Sequence, residues 1–117
     1  MQKTESKTII NQIVQRIKNH LDPEKIILFG SYAYGTPEES SDLDIIIITS
    51  DNFVPITNRE KMELHHKYNS LIREYRKYMP IDLLVYTKPM YERLKNGESL
   101  FIREINQKGK ILYERDY

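Results

Sequence analysis

Three aspartates in this 117-residue sequence have the type and spacing that chemistry needs. Asp42 and Asp44 stand two residues apart at the head of the apolar run Leu43–Thr49, and Asp82 is the second residue of another apolar run, residues 81–86. Alternate residues of a strand share a face and lie about 7 Å apart along the backbone. Two carboxylates at that spacing repel, and divalent cations lying between them relieve the repulsion; two-metal sites hold their ions roughly 4 Å apart. Oxygen-only ligands suit magnesium or manganese rather than zinc. An isolated aspartate at a strand start more often caps a turn or pairs with a lysine. A same-face pair with a third carboxylate at the matching edge argues for a site, since burying such groups beside isoleucines and leucines without partners is costly. Gly30-Ser31 offers the complementary half. A glycine lets backbone approach a ligand, and a serine opening a short helical turn presents a hydroxyl and N–H groups to a phosphate.

These residues depend on the elements around them. Ile9, Ile10, Ile13, Val14, Ile17 and Leu21 recur at helical spacing, which predicts an amphipathic helix over residues 5–21, ended by Asp22-Pro23. Lys25–Phe29 reads as a first strand closed by Gly30, residues 31–35 as one or two helical turns, and residues 36–41 (TPEESS) as a polar loop. Leu43–Thr49 carries four consecutive isoleucines and reads as a central strand buried on both faces. After a loop over 50–57, a long helix is expected over 58–78, with Met62, Leu64, Tyr68, Leu71, Ile72 and Tyr75 as its apolar stripe. Residues 81–86 form a third strand, Pro89 opens a helix that Gly97 stops, residues 100–105 form one more helix, and residues 111–113 a short strand or tail.

The fold class implied is α/β (α+β), a small mixed sheet flanked by helices in a single domain over residues 1–117. About a dozen residues join the first two strands, favouring an antiparallel pair, whereas the helix before the third strand has the length of a parallel crossover. Gly30-Ser31 then leaves the sheet beside the point where Asp42 enters it, and Asp82 begins its strand at the same edge.

Composition narrows the alternatives. With 18 basic and 17 acidic residues the net charge is +1, which gives no global field for nucleic acid or membranes. No apolar run approaches a membrane span, the first eight residues carry no secretion signal, and there is no cysteine; a cytoplasmic location is expected. His65 and His66 are adjacent on a helix, point apart, and read as surface residues. The tyrosines read as core, rim or contact residues, and Arg73, Arg76 and Lys77 as a solvated helix end.

Residues 30–44, GSYAYGTPEESSDLD, resemble the signature of the DNA polymerase β-like nucleotidyltransferases: Gly-Ser, about ten residues, Asp-x-Asp, and a later third carboxylate. Gly35 fills the usual second glycine position and Ser41 precedes the acidic pair. In length and element order the chain is most similar to the minimal nucleotidyltransferases, short proteins that often act as antitoxins beside HEPN-domain toxins. The resemblance implies a nucleotidyltransferase fold, phosphate binding by Gly30 and Ser31, and two Mg2+ ions (Mn2+ as a substitute) held by Asp42, Asp44 and Asp82. It also implies that Asp82 lies near the acceptor hydroxyl or acts as its base. ATP or another nucleoside triphosphate would donate a nucleoside monophosphate, AMP first among them, to a hydroxyl of a HEPN toxin. Few residues follow the third strand, which favours a separate protein acceptor. The rival readings are a binding antitoxin that masks its partner and a transferase acting on a small molecule. The sequence departs from the pattern in one respect. Tyr32, Ala33 and Tyr34 stand where many members carry an arginine, leaving Lys25 or a partner's basic residue to replace its charge.

Overall fold

In this computed structural model, which describes residues 3–37, 41–97 and 99–116, the isoleucine run forms the middle of the sheet. Strand β2 (Leu43–Thr49) buries Ile45, Ile46, Ile47 and Ile48 almost completely, so it needs an apolar layer on each face. It pairs antiparallel with β1 (Lys25–Phe29) and parallel with β3 (Ile81–Thr87), and β4 (Lys110–Glu114) adds to the far side of β1. The order is β3-β2-β1-β4.

Alternation along the strands divides the core in two. Ile26, Leu28, Leu43, Ile45, Ile47, Ile81 and Leu83 face α1 (Lys3–Leu21) and α3 (Asn58–Ile72), which contribute Ile9, Ile13, Val14, Ile17, Leu64, Tyr68 and Ile72. Ile27, Phe29, Ile46 and Ile48 face the other way, against Tyr91 of α4 (Lys88–Asn96) and Ile102 and Ile105 of α5 (Leu100–Lys108). Asp44 alternates with Ile46 and therefore belongs to this second face. Between β1 and β2, Ser31–Tyr34 makes a single helical turn, α2. Residues 38–40 of the expected polar loop lie outside the described residues.

Most expected elements are present, the first three strands within a residue of their predicted ends. The long helix is shorter than expected. At Ile72 the backbone opens to φ −107°, ψ −3°, and Arg73–Lys77 continues as a tighter 3₁₀ segment. This change of pitch keeps Tyr75 and Met79 in the core while turning the chain toward β3. Met62 is a second correction. It lies two residues, about 200° of helix, from Leu64, and it is 70% exposed rather than part of the apolar stripe. The short strand or tail expected at residues 111–113 is the edge strand β4, one residue longer at each end. No helix among the described residues is long and apolar enough to cross a membrane.

Ile47 has no exposed surface and packs against α1 and α3 from the centre of β2. Ile47→Ala is expected to lower the unfolding free energy by about 3 kcal/mol, the usual cost of a large-to-small change in a packed core. Urea denaturation with an unchanged m-value checks it.

Candidate active site

The four strands share an edge at which β1 ends and β2, β3 and β4 begin. Asp42 lies one residue before β2, Asp44 is its second residue, and Asp82 is the second residue of β3. The parallel register sets Asp44 directly opposite Asp82, so their side chains share a face on strands about 4.8 Å apart. Across the antiparallel pair, Asp44 faces Phe29, the last residue of β1. The structure thus brings Asp42, Asp44, Asp82 and the Gly30-Ser31 turn to one corner of the sheet.

Gly30 shows how tightly that corner is built. It adopts φ +74°, and a Cβ placed on it would lie 2.1 Å from Asp44 Oδ2. Any side chain at this position must displace the Asp44 carboxylate as well as strain the backbone. The Gly30 carbonyl accepts from the N–H groups of Ala33 and Tyr34 at 3.0 and 3.1 Å, closing α2 over the turn. Gly35 matters for a different reason. Its N–H donates to Ser31 O at 3.1 Å, and an added Cβ would come within 3.0 Å of Ser31 Cα. The two glycines let the turn fold back beside the acidic pair, with Ser31 half-buried between them.

Partial burial pushes the Asp44 carboxyl above the usual carboxylate range, and the like charges of Asp82 and then Asp42 push it further. Asp42 and Asp82 are exposed. Among the described residues, no lysine, arginine or histidine pairs with any of the three. Nor do any three acid, histidine or cysteine side chains among the described residues converge closely enough to enclose an ion as they stand. The donor set itself, all oxygen and uncompensated, fits a hard divalent cation.

Lys25 is at the wrong end of the sheet to replace the arginine that α2 lacks. It starts β1, roughly 13 Å of strand from Phe29, and its Nζ lies 3.9 Å from Glu114. Two residues that are exposed, as their sequence positions suggest, also hold the strand that carries Asp82. Arg76 donates to Ile81 O and, at 2.8 Å, to Asn69 Oδ1, while His65 Nε2 lies 3.2 Å from Leu83 O. Ile81 and Leu83 flank Asp82, so both outward carbonyls beside it are bound from α3 and its 3₁₀ extension. No spacing in the sequence signals this, because it depends on how α3 and its 3₁₀ extension pack beside β3.

Residues 11–117 match the family described as polymerase beta, nucleotidyltransferase. Two proteins of Methanocaldococcus jannaschii, each named provisionally as a protein adenylyltransferase, are similar to the chain. One is 30% identical over 111 residues, covering 92% of this chain and 71% of its own length. The other is 29% identical over 107 residues, covering 92% and 93%. Among solved structures, a mutant form of the toxin–antitoxin MntA-HpeT matches with a TM-score of 0.54 and 22% identity, over 91% of this chain and 73% of that one. A toxin–antitoxin structure with AMP-PNP matches with the same TM-score and coverage at 25% identity.

The electrostatics predict a pH signature. Because the folded-state pKa of Asp44 is raised, its ionised form opposes folding, and the penalty fades as pH falls through the raised value. In chelator-treated protein, Asp44→Asn is expected to melt at a higher temperature than wild type at pH 7. That advantage should shrink as the pH is lowered toward 4 in thermal melts.

Proposed function

The chain belongs to the polymerase β nucleotidyltransferase family, and from that premise we propose that it transfers AMP from ATP to a hydroxyl of a partner protein. The partner proposed is a HEPN-type toxin in the cytoplasm, neutralised by the modification. One observation carries the reading: Asp44 and Asp82 sit in register on parallel strands, with Asp42 two residues away and the Gly30 turn against Asp44. The names of the two archaeal relatives and of the matched toxin–antitoxin structures agree with the proposed acceptor.

In this reading Gly30 and Ser31 bind the triphosphate through backbone N–H groups and the serine hydroxyl. Asp42, Asp44 and Asp82 would hold two magnesium ions, manganese being an acceptable substitute. Such ions neutralise the triphosphate and align the attacking and leaving oxygens when bound. Asp82, on the neighbouring strand, takes the proton from the acceptor hydroxyl. The acceptor oxygen forms a bond to the α-phosphorus, the bond from that phosphorus to the bridging oxygen breaks, and pyrophosphate leaves with the electron pair. Positioning and charge neutralisation do most of the work in such transfers, so a small domain suffices.

A second reading, a binder that masks its partner without modifying it, draws on one feature. Tyr32-Ala33-Tyr34 supplies no cation to the phosphate turn, and Lys25 is held at the far end of β1. The uncompensated carboxylates weigh against it, because a pure binder gains nothing from them.

The test is to incubate the protein with ATP, Mg2+ and the product of the adjacent gene, then weigh that product by mass spectrometry. The expected result is one or more added AMP masses, with the rate lowered at least a hundredfold in Asp42→Ala and Asp44→Ala. Neutralisation that survives both substitutions without any mass increase would leave the masking role alone.

A further inference from the structure

The face that carries the acidic corner also carries an exposed aromatic ring that the reading above does not use. Phe101, second residue of α5, meets Phe29 edge-on, with ring centroids 5.7 Å apart and an interplanar angle of 82°. Phe29 is opposite Asp44 in the β1–β2 register and precedes Gly30, so its side chain is the direct neighbour of the Asp44 carboxylate on this face. Phe29 is buried, whereas Phe101 is 42% exposed and its neighbour Leu100 76% exposed. Ile102 and Ile105 bury the other side of α5 against Ile27, Ile46 and Ile48, so the helix is fixed and its first turn projects beside the corner. Across the face the order is Asp82, Asp44, Phe29, with Phe101 standing against Phe29.

We infer that Phe101, supported by Phe29, is the surface on which the nucleobase of the bound nucleoside triphosphate stacks. This rests on the transferase reading and deepens it by assigning the end of the substrate that the carboxylates and the turn do not touch. A nucleotide whose phosphates lie between the Gly30 turn and the aspartates places its base within roughly 10 Å of them. The exposed ring stands against Phe29, the residue before Gly30 and opposite Asp44, on the side away from Asp82, leaving the Asp82 side for the acceptor. Base-on-aromatic stacking is sequence-tolerant, because every base presents a π face, and is worth roughly tenfold or more in affinity. An upright ring held by an edge contact needs no rearrangement to accept a planar ligand.

The experiment compares two ligands on the full chain by calorimetry in Mg2+: ATP, and inorganic tripolyphosphate, which lacks base and sugar. Phe101→Ala is expected to weaken ATP about tenfold and to leave tripolyphosphate within twofold, while Phe101→Trp retains ATP affinity. Leu100→Ala, a neighbouring exposed change, controls for disturbance of the helix. Equal losses for both ligands in Phe101→Ala would mean that the ring only braces Phe29 and Asp44, and would overturn the inference. So would ATP affinity that is lost in Asp44→Ala but unchanged in Phe101→Ala, including the case where Phe101→Ala raises only the KM for the protein acceptor; the transferase reading would then stand without it. A wild-type protein that binds neither ligand would overturn both.

Discussion

Residues in register on parallel strands point to the same face about 4.8 Å apart, so aligning Asp44 with Asp82 sets two carboxylates side by side at the sheet edge. Nothing in the folding of the chain benefits from that placement. Two unit charges about 5 Å apart repel by under 1 kcal/mol in bulk water and by roughly 3 kcal/mol at the effective dielectric near a protein surface. The same register buries Ile45, Ile46, Ile47 and Ile48, and each such side chain contributes about 1.5–3 kcal/mol. The apolar gain therefore outweighs the repulsion several times over. A slip of one residue would put isoleucine in place of isoleucine through the middle of β2, which is apolar on both faces, but it would turn Asp44 toward the α1–α3 face and carry it away from the Gly30 turn.

The opposite edge of the sheet shows what charges look like when they serve stability. There Asp22, which closes α1 at φ 39°, accepts from Tyr113 and pairs with Arg115 at 3.3 Å. Lys88 lies 3.6 Å from Glu24, and Lys25 near Glu114. Each acid there meets a base, and Asp22 a tyrosine hydroxyl as well. At the edge with Asp42, Asp44 and Asp82, acid meets acid, and among the described residues no base answers. The contrast lies within one sheet, so it reflects placement rather than an overall excess of acid in a chain whose net charge is +1.

How much of this the sequence discloses depends on how local each cause is. Strands β1 and β2 are legible because β-branched runs end at Gly30 and begin after Asp42, and their pairing follows from the short connection between them. The direction of β3, and with it the meeting of Asp82 and Asp44, follows from the length of the intervening helix. The break at Ile72 is not legible, since residues 73–77 keep a helical composition and only tertiary packing tightens their pitch. Arg76 and His65 are exposed, as their positions suggest, but their bonds to the carbonyls on either side of Asp82 follow only from tertiary packing. Phe101 is hidden in the same way: in the sequence it is one more apolar residue of a short helix, and only the contact with Phe29 places it at the corner. Lys25 misleads for the opposite reason, because nearness to Gly30 in sequence becomes the full length of a strand in space.

The proposed function requires divalent cations to bind at the carboxylate corner and not at some other acidic part of the surface. Paramagnetic line broadening by Mn2+ in an amide-resolved NMR spectrum tests it most directly, because broadening falls off steeply with distance from the ion. Substoichiometric Mn2+ with a nonhydrolysable ATP analogue should first erase the amide signals of Gly30, Ser31, Asp42, Asp44 and Asp82, and the pattern should vanish in Asp44→Ala. Broadening centred on Asp22, Glu24 and Glu114 at the far edge, or a pattern unchanged by Asp44→Ala, would rule out metal binding at this corner.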